Sequence, residues 1–196
     1  MSVKHPKLFE QLKALAGVTA AEWLKAEALA QEQALKKKDC FVRPGDPSDR
    51  FGVVLQGLFR AFRVSESGGE SVKAFRSEGE MIGPYAELLQ GIPSLTAIEA
   101  LEPSRVLFWK SRDFQRLEQG HACWSMLARR VAEQHYILKE RREQEFLDLS
   151  AEERLLRFWQ EYRRLEKRLP QREVAAYLGI TEVALSRIMS RRRKRA

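Results

Sequence analysis

The period of the apolar positions changes several times along the chain. Over residues 5–16, Leu8, Leu12 and Leu15 recur at steps of four and three, which predicts an amphipathic helix. A second helix is predicted over 20–30, with Trp23, Leu24 and Leu29 inward and Thr19 as its cap. Near Gln33 the pattern shortens to strands, at about 33–35, 40–43, 50–56, 58–64, 71–76, 95–101 and 105–109. Turn signals separate them: Arg43-Pro44-Gly45-Asp46, Gln56-Gly57 and Ser67-Gly68-Gly69. Many short strands at this spacing predict a β-sandwich or roll whose edges the flanking helices cover.

Helical period returns with a short helix at 111–118 and a long one at 121–147. On the long helix Trp124, Leu127, Val131, Gln134 and Leu138 alternate by three and four, the seam of a two-helix coiled coil. The alternative is a helix packed on its own domain; the length and the charged far end favour a dimer seam. Ser150 and Glu153 form a capping box for the next helix, with Leu155, Leu156, Phe158, Trp159 and Leu165 as its buried face. After a short link at 166–169 come two further helices, predicted at 171–178 and 181–191. Pro170 suits the first turn of the first, Gly179 ends it, and Thr181 caps the second.

Counted from Gln171, apolar residues fall at positions 4, 5, 8, 10, 15 and 18, with glycine at 9. This is helix-turn-helix spacing: Val174, Ala175 and Leu178 pack against Leu185 and Ile188, and Ala175 is small where the helices cross. An ordinary helical hairpin would not need the apolar positions, the glycine and the cap to agree. In such motifs the second helix enters the major groove of DNA. The residues expected at that interface are Gln171, Thr181, Glu182, Val183, Ser186, Arg187, Ser190, Arg191 and Arg192.

Charge agrees with this placement. The 196 residues carry a net charge of +8, and residues 150–196 hold 13 basic and 6 acidic side chains against 22 and 21 in the first 149. The positive excess therefore sits with the helix pair, as phosphate binding requires. The tail Arg191-Arg192-Arg193-Lys194-Arg195 reads as phosphate contacts following the second helix, with a solubilising tail as the alternative. Cys40 and Cys123 make neither a metal-ligand pattern nor a secreted disulfide framework. No apolar run reaches the roughly 18 residues of a membrane span, and the N-terminus has no apolar signal core, so a soluble cytoplasmic protein is expected. Ser150 has no histidine near it in the chain, and His5, His121 and His135 have no ligand spacing. Neither an enzyme nor a metal site is expected.

Taken together, Arg43-Pro44-Gly45-Asp46, Val53-Val54-Leu55-Gln56-Gly57, Gly79-Glu80-Met81-Ile82-Gly83 and the helix-turn-helix resemble the Crp/Fnr family of bacterial transcription regulators, over almost the whole chain. The resemblance implies an α+β fold with three parts. These are a cyclic-nucleotide-binding-like β-roll with flanking helices (1–120), a long dimerisation helix (121–149) and a C-terminal helix-turn-helix domain (150–196). It implies a homodimer on double-stranded DNA, with RNA polymerase as a further partner and no membrane.

It also places an effector pocket at Met81, Ile82, Gly83, Pro84, Tyr85, Glu87, Leu95 and Thr96. In cAMP-binding members a glutamate follows the glycine and an arginine lies about a dozen residues on; here Pro84 and Leu95 stand in those positions. Without the arginine a cyclic phosphate has no partner, and Glu87 would repel it. Binding of cAMP is not expected and no cofactor is implied. The pocket either takes another ligand or is filled as core. An Fnr-type iron–sulfur cluster needs several cysteines, mostly near the N-terminus, and none precedes Cys40. His121, Cys123 and His135 could serve haem in principle, but His121 and Cys123, at the start of a helix, read as surface and core residues.

On the second helix of the pair, Ser186-Arg187 matches the family's Ser-Arg pair, while Val183 stands where a glutamate commonly meets a base. A shifted sequence preference is expected. The link at 166–169 is too short for the β-hairpin wing of most members. Two rival functions are a small-molecule-sensing module acting through protein contacts and an enzyme in the roll. The first would show no salt-dependent duplex binding. The second lacks a catalytic set in the sequence.

Overall fold

The structure, a computed structural model, describes residues 3–65 and 68–193. The elements run α1 (Pro6–Ala16), α2 (Ala20–Leu29), β1 (Gln31–Leu35), β2 (Cys40–Val42), β3 (Arg50–Gln56), β4 (Phe59–Val64), β5 (Glu70–Arg76) and β6 (Met81–Ile82). They continue α3 (Tyr85–Gln90), β7 (Ala97–Ala100), β8 (Ser104–Lys110), α4 (Ser111–Gly120), α5 (Ala122–Asp148), α6 (Ala151–Glu161), a 3-10 turn (Arg163–Leu165), α7 (Gln171–Leu178) and α8 (Glu182–Arg193). The chain divides into two compact units. One takes in the chain up to Ala61 together with Phe75–Ile137, the other Phe62–Ala74 and the chain from Leu138 onward.

Among the described residues the strands make two four-stranded sheets, β1-β8-β3-β6 and β2-β7-β4-β5. β8 pairs antiparallel with both β1 and β3, with Leu107 opposite Glu32 and Val53. Strand alternation then explains the unbroken apolar run Val106-Leu107-Phe108-Trp109. Val106 and Phe108 enter the roll core with Leu35, Phe41, Val54, Phe59 and Ile98. Leu107 and Trp109 point the other way, into a second core with Leu8, Leu12, Trp23, Leu117 and Trp124. A strand covered on both faces reads as continuously apolar. The helices therefore seal one sheet, and the Trp109 indole N–H donates to the Ala26 carbonyl at 2.8 Å across that layer.

The expected helices, and seven expected strands with bounds moved by a few residues, are present. Three elements were not expected: the two-residue strand β6, the helix α3, and the 3-10 turn that carries Leu165, a residue expected on α6. β6 is too short to show a period, and α3 is one and a half turns in a stretch where no element was expected. Thr19 caps α2 by accepting the Glu22 amide, and Ser150 and Glu153 cap α6 reciprocally. Leu29 and Leu156 are exposed, contrary to expectation.

The dimer seam expected on α5 needs a larger correction. Trp124, Leu127 and Val131 are buried in the helical core of their own unit. The Trp124 indole N–H donates to Glu22 Oε2 at 2.9 Å, and its ring meets Phe114 edge-on at 6.0 Å. Glu22 is itself held by Lys25 at 2.6 Å, and these two hydrogen bonds keep its carboxyl below the usual carboxylate range despite burial. The alternating pattern records a helix packed on its own domain, and a partner cannot reach these three side chains. Gln134 and Leu138 stay exposed, and so do Met126 (38%), Tyr136 and Ile137 (62%).

In the C-terminal unit Leu155, Phe158, Tyr162 and Leu165 are buried with Val174, Ala175, Tyr177, Leu178, Leu185 and Ile188. Phe158 lies 4.9 Å from Tyr162 and 5.0 Å from Tyr177, ring centre to ring centre. Between α6 and α8 the described residues contain no strand, which agrees with the missing wing.

Candidate functional site

Two places collect the residues singled out in the sequence. The first is the pair α7 and α8. Gly179 ends α7 in the left-handed region at φ 68°, where a side chain would be strained, and its amide donates to the Ala175 carbonyl. Two residues later the Thr181 hydroxyl accepts the Ala184 amide at 3.2 Å and starts α8. The turn is therefore three residues, Gly179 to Thr181. Leu185 and Ile188 are buried on one side of α8, so the other side faces outward. Thr181, Glu182, Val183, Ser186, Arg187, Ser190 and Arg191 are exposed there, and Arg192 is half-buried. Gln171 is exposed at the start of α7. Lys194 and Arg195 of the basic tail lie outside the described residues, as does Ser67 of the expected turn at 67–69.

The second place is the segment from β6 to β7. Met81 and Ile82 pair with Val53 and Gly52, and a Cβ on Gly83 would lie 2.9 Å from that of Phe51, so only glycine passes there. Pro84 is buried at the cap of α3. Glu87 is buried, and the buried Thr96 hydroxyl donates to its Oε1 at 2.8 Å. Ser94 is buried too and donates to the Thr96 carbonyl at 2.8 Å. Leu95 departs from this group, being 48% exposed. Leu95 thus faces outward, and the nearby acid Glu87 is engaged by a threonine. Tyr85 stacks on His135 of α5 at 5.8 Å, and burial, with a smaller effect from Arg76, pushes the His135 imidazole below its usual value.

The other residues weighed for cofactors have structural places. His121 Nδ1 accepts the Cys123 amide at 3.1 Å and so caps the first turn of α5. Cys123 is buried, and burial raises its thiol pKa. Among the described residues no group of His, Cys, Asp and Glu could hold a metal ion. No helix among them is long and apolar enough to cross a membrane.

Two arrangements of consequence were not foreseen in the sequence. Arg60 and Glu99 form an ion pair at 3.1 Å within the roll, joining positions 39 apart. Arg142 of α5 donates to the carbonyls of Val72, Lys73 and Tyr177 and stacks on the Tyr177 ring at 3.9 Å. No local pattern announces either arrangement, because the partners meet only in the fold.

Residues 32–121 match the family of the cyclic nucleotide-binding domain. No curated protein sequence matches the chain. Similar solved structures include the c-di-GMP responsive global regulator CLP of Xanthomonas campestris, at 14% identity and TM-score 0.72, covering 90% of this chain and 92% of that one. A CooA mutant of Carboxydothermus hydrogenoformans is 20% identical with TM-score 0.72, covering 86% and 78%. The catabolite activator protein of Thermus thermophilus is 21% identical with TM-score 0.58, covering 94% and 87%. The chain shares the fold of these structures, and its residues 32–121 are similar to the cyclic nucleotide-binding domain.

Proposed function

We propose that the chain is a sequence-specific DNA-binding transcription regulator of the Crp/Fnr type, acting as a cytoplasmic homodimer whose roll does not take cAMP. The observation that carries this reading is the α7–α8 pair, with an apolar inner face at Leu185 and Ile188 and an exposed polar face centred on Arg187. A helix with that division can lie in the major groove while its partner helix holds it there. The basic surplus of the same region supplies the attraction to phosphate. In a two-fold dimer the recognition helices would read half-sites about 34–36 Å apart. The face of α5 left open by Met126 and Ile137 is the dimer surface in this reading. RNA polymerase is the further partner such a regulator implies.

Titration with duplex DNA at several salt concentrations tests the proposal. The affinity should fall linearly on a log–log plot, with a slope of about −0.9 per phosphate neutralised. Arg187→Ala should cost about 1–3 kcal/mol on a specific duplex and little on random DNA, because arginine reads guanine O6 and N7. Equal losses on both would make Arg187 a phosphate anchor. Absence of duplex binding at any salt would leave the protein-contact module as the better reading.

The roll is expected to give no saturable heat with millimolar cAMP in calorimetry. Pro84 and the exposed Leu95 offer the ribose and phosphate no charged partner, and Glu87 is already bonded to Thr96. A micromolar dissociation constant would overturn this and require another cation at the phosphate.

A further inference from the structure

We infer that Val183 reads the 5-methyl group of a thymine, within about two base pairs of the guanine read by Arg187; the inference rests on the DNA-binding reading of α8. Val183 is 61% exposed on a face whose other members, Glu182, Ser186, Arg187 and Ser190, are polar. It serves the fold poorly. It covers little apolar surface, and a β-branched residue is a weaker helix former than alanine. Its methyl groups are accessible to a ligand on the outward face of α8.

In the major groove the thymine methyl is the apolar group a base pair presents, and small apolar side chains meet it directly. The neighbours fit base edges as well. Glu182 carries a negative charge that phosphates repel but that the cytosine amino group satisfies. Val183 and Arg187 are four residues apart, so they share a face and lie about 6 Å apart along the axis. That distance spans about two base-pair steps of roughly 3.4 Å.

The test starts from duplexes enriched out of a randomised library by the wild-type chain. Each thymine of the enriched site is replaced in turn by deoxyuridine, which removes the methyl alone. One thymine per half-site should lose about 3- to 10-fold in affinity on replacement, of the order of a single apolar contact. Val183→Ala should lose a similar factor on the thymine duplex and show no further loss with deoxyuridine. Val183→Glu should move the preference at that position from thymine to cytosine. Wild-type affinity unchanged by deoxyuridine at every thymine would overturn the inference while leaving DNA binding intact. So would losses from deoxyuridine and Val183→Ala that simply add. If no sequence is enriched and no duplex binds, the DNA-binding reading itself fails, and the inference with it.

Discussion

Leu127→Asp combined with Val131→Asp is expected to unfold the N-terminal unit. Both side chains lie in the core formed by α1, α2, β3, β8, α4 and α5, beside the Trp124–Glu22 hydrogen bond. Each aspartate removes a packed apolar group, at about 2–5 kcal/mol for a leucine. Each also buries a carboxylate without a partner, which costs several kcal/mol more. The sum approaches the roughly 5–15 kcal/mol by which domains are stable. Met126→Glu with Ile137→Glu is the contrasting variant. Both residues are exposed on the same helix, so the unit should stay folded. In the proposed dimer it should sediment as a monomer and bind a two-fold site about 10²–10⁴-fold more weakly, having lost the linkage of two recognition helices. Circular dichroism melting and sedimentation separate the two results. A folded monomer from the aspartate pair would put the seam back on the buried face, and an unchanged dimer from the glutamate pair would move it elsewhere.

Arg142→Ala is expected to cost the C-terminal unit about 3–4 kcal/mol. The guanidinium donates to three carbonyls, two on β5 and one at the end of α7, and hydrogen bonds from a charged donor are worth about 1.5–3 kcal/mol each where buried. Partial exposure of Arg142 lowers that total. The Tyr177 carbonyl sits at the negative end of α7, where a cation is stabilising. Arg154 does the same for the Leu178 carbonyl, and the Phe146 ring lies 5.4 Å from one guanidinium and 4.7 Å from the other. Lysine should not rescue the variant, because a single ammonium cannot span carbonyls from two elements. Hydrogen exchange is the direct measurement: amides of β5 and of the end of α7 should lose protection together. If they keep it, Arg142 is incidental to the unit.

The sequence carried most of the local structure, because caps, turns and periods are local. Thr19, Ser150 with Glu153, and Gly179 with Thr181 each bond within four residues, so their chemistry is visible in the chain alone. Strand alternation is equally local, and β3 occupies the expected residues 50–56. β6 escaped because two residues show no period, and α3 because its one buried polar residue, Glu87, owes its place to Thr96, nine positions away.

For the candidate sites the division is sharper. The sequence by itself determined which side of α8 is apolar, since Leu185 and Ile188 repeat with the turn of the helix. Tertiary structure alone decided what the apolar stripe of α5 packs against, because a seam for a second helix and a face for the same domain obey one period. It alone joined Arg60 to Glu99 and Arg142 to β5 and α7. A charged side chain finds its partner by the path of the backbone through space, and spacing along the chain holds no record of that path.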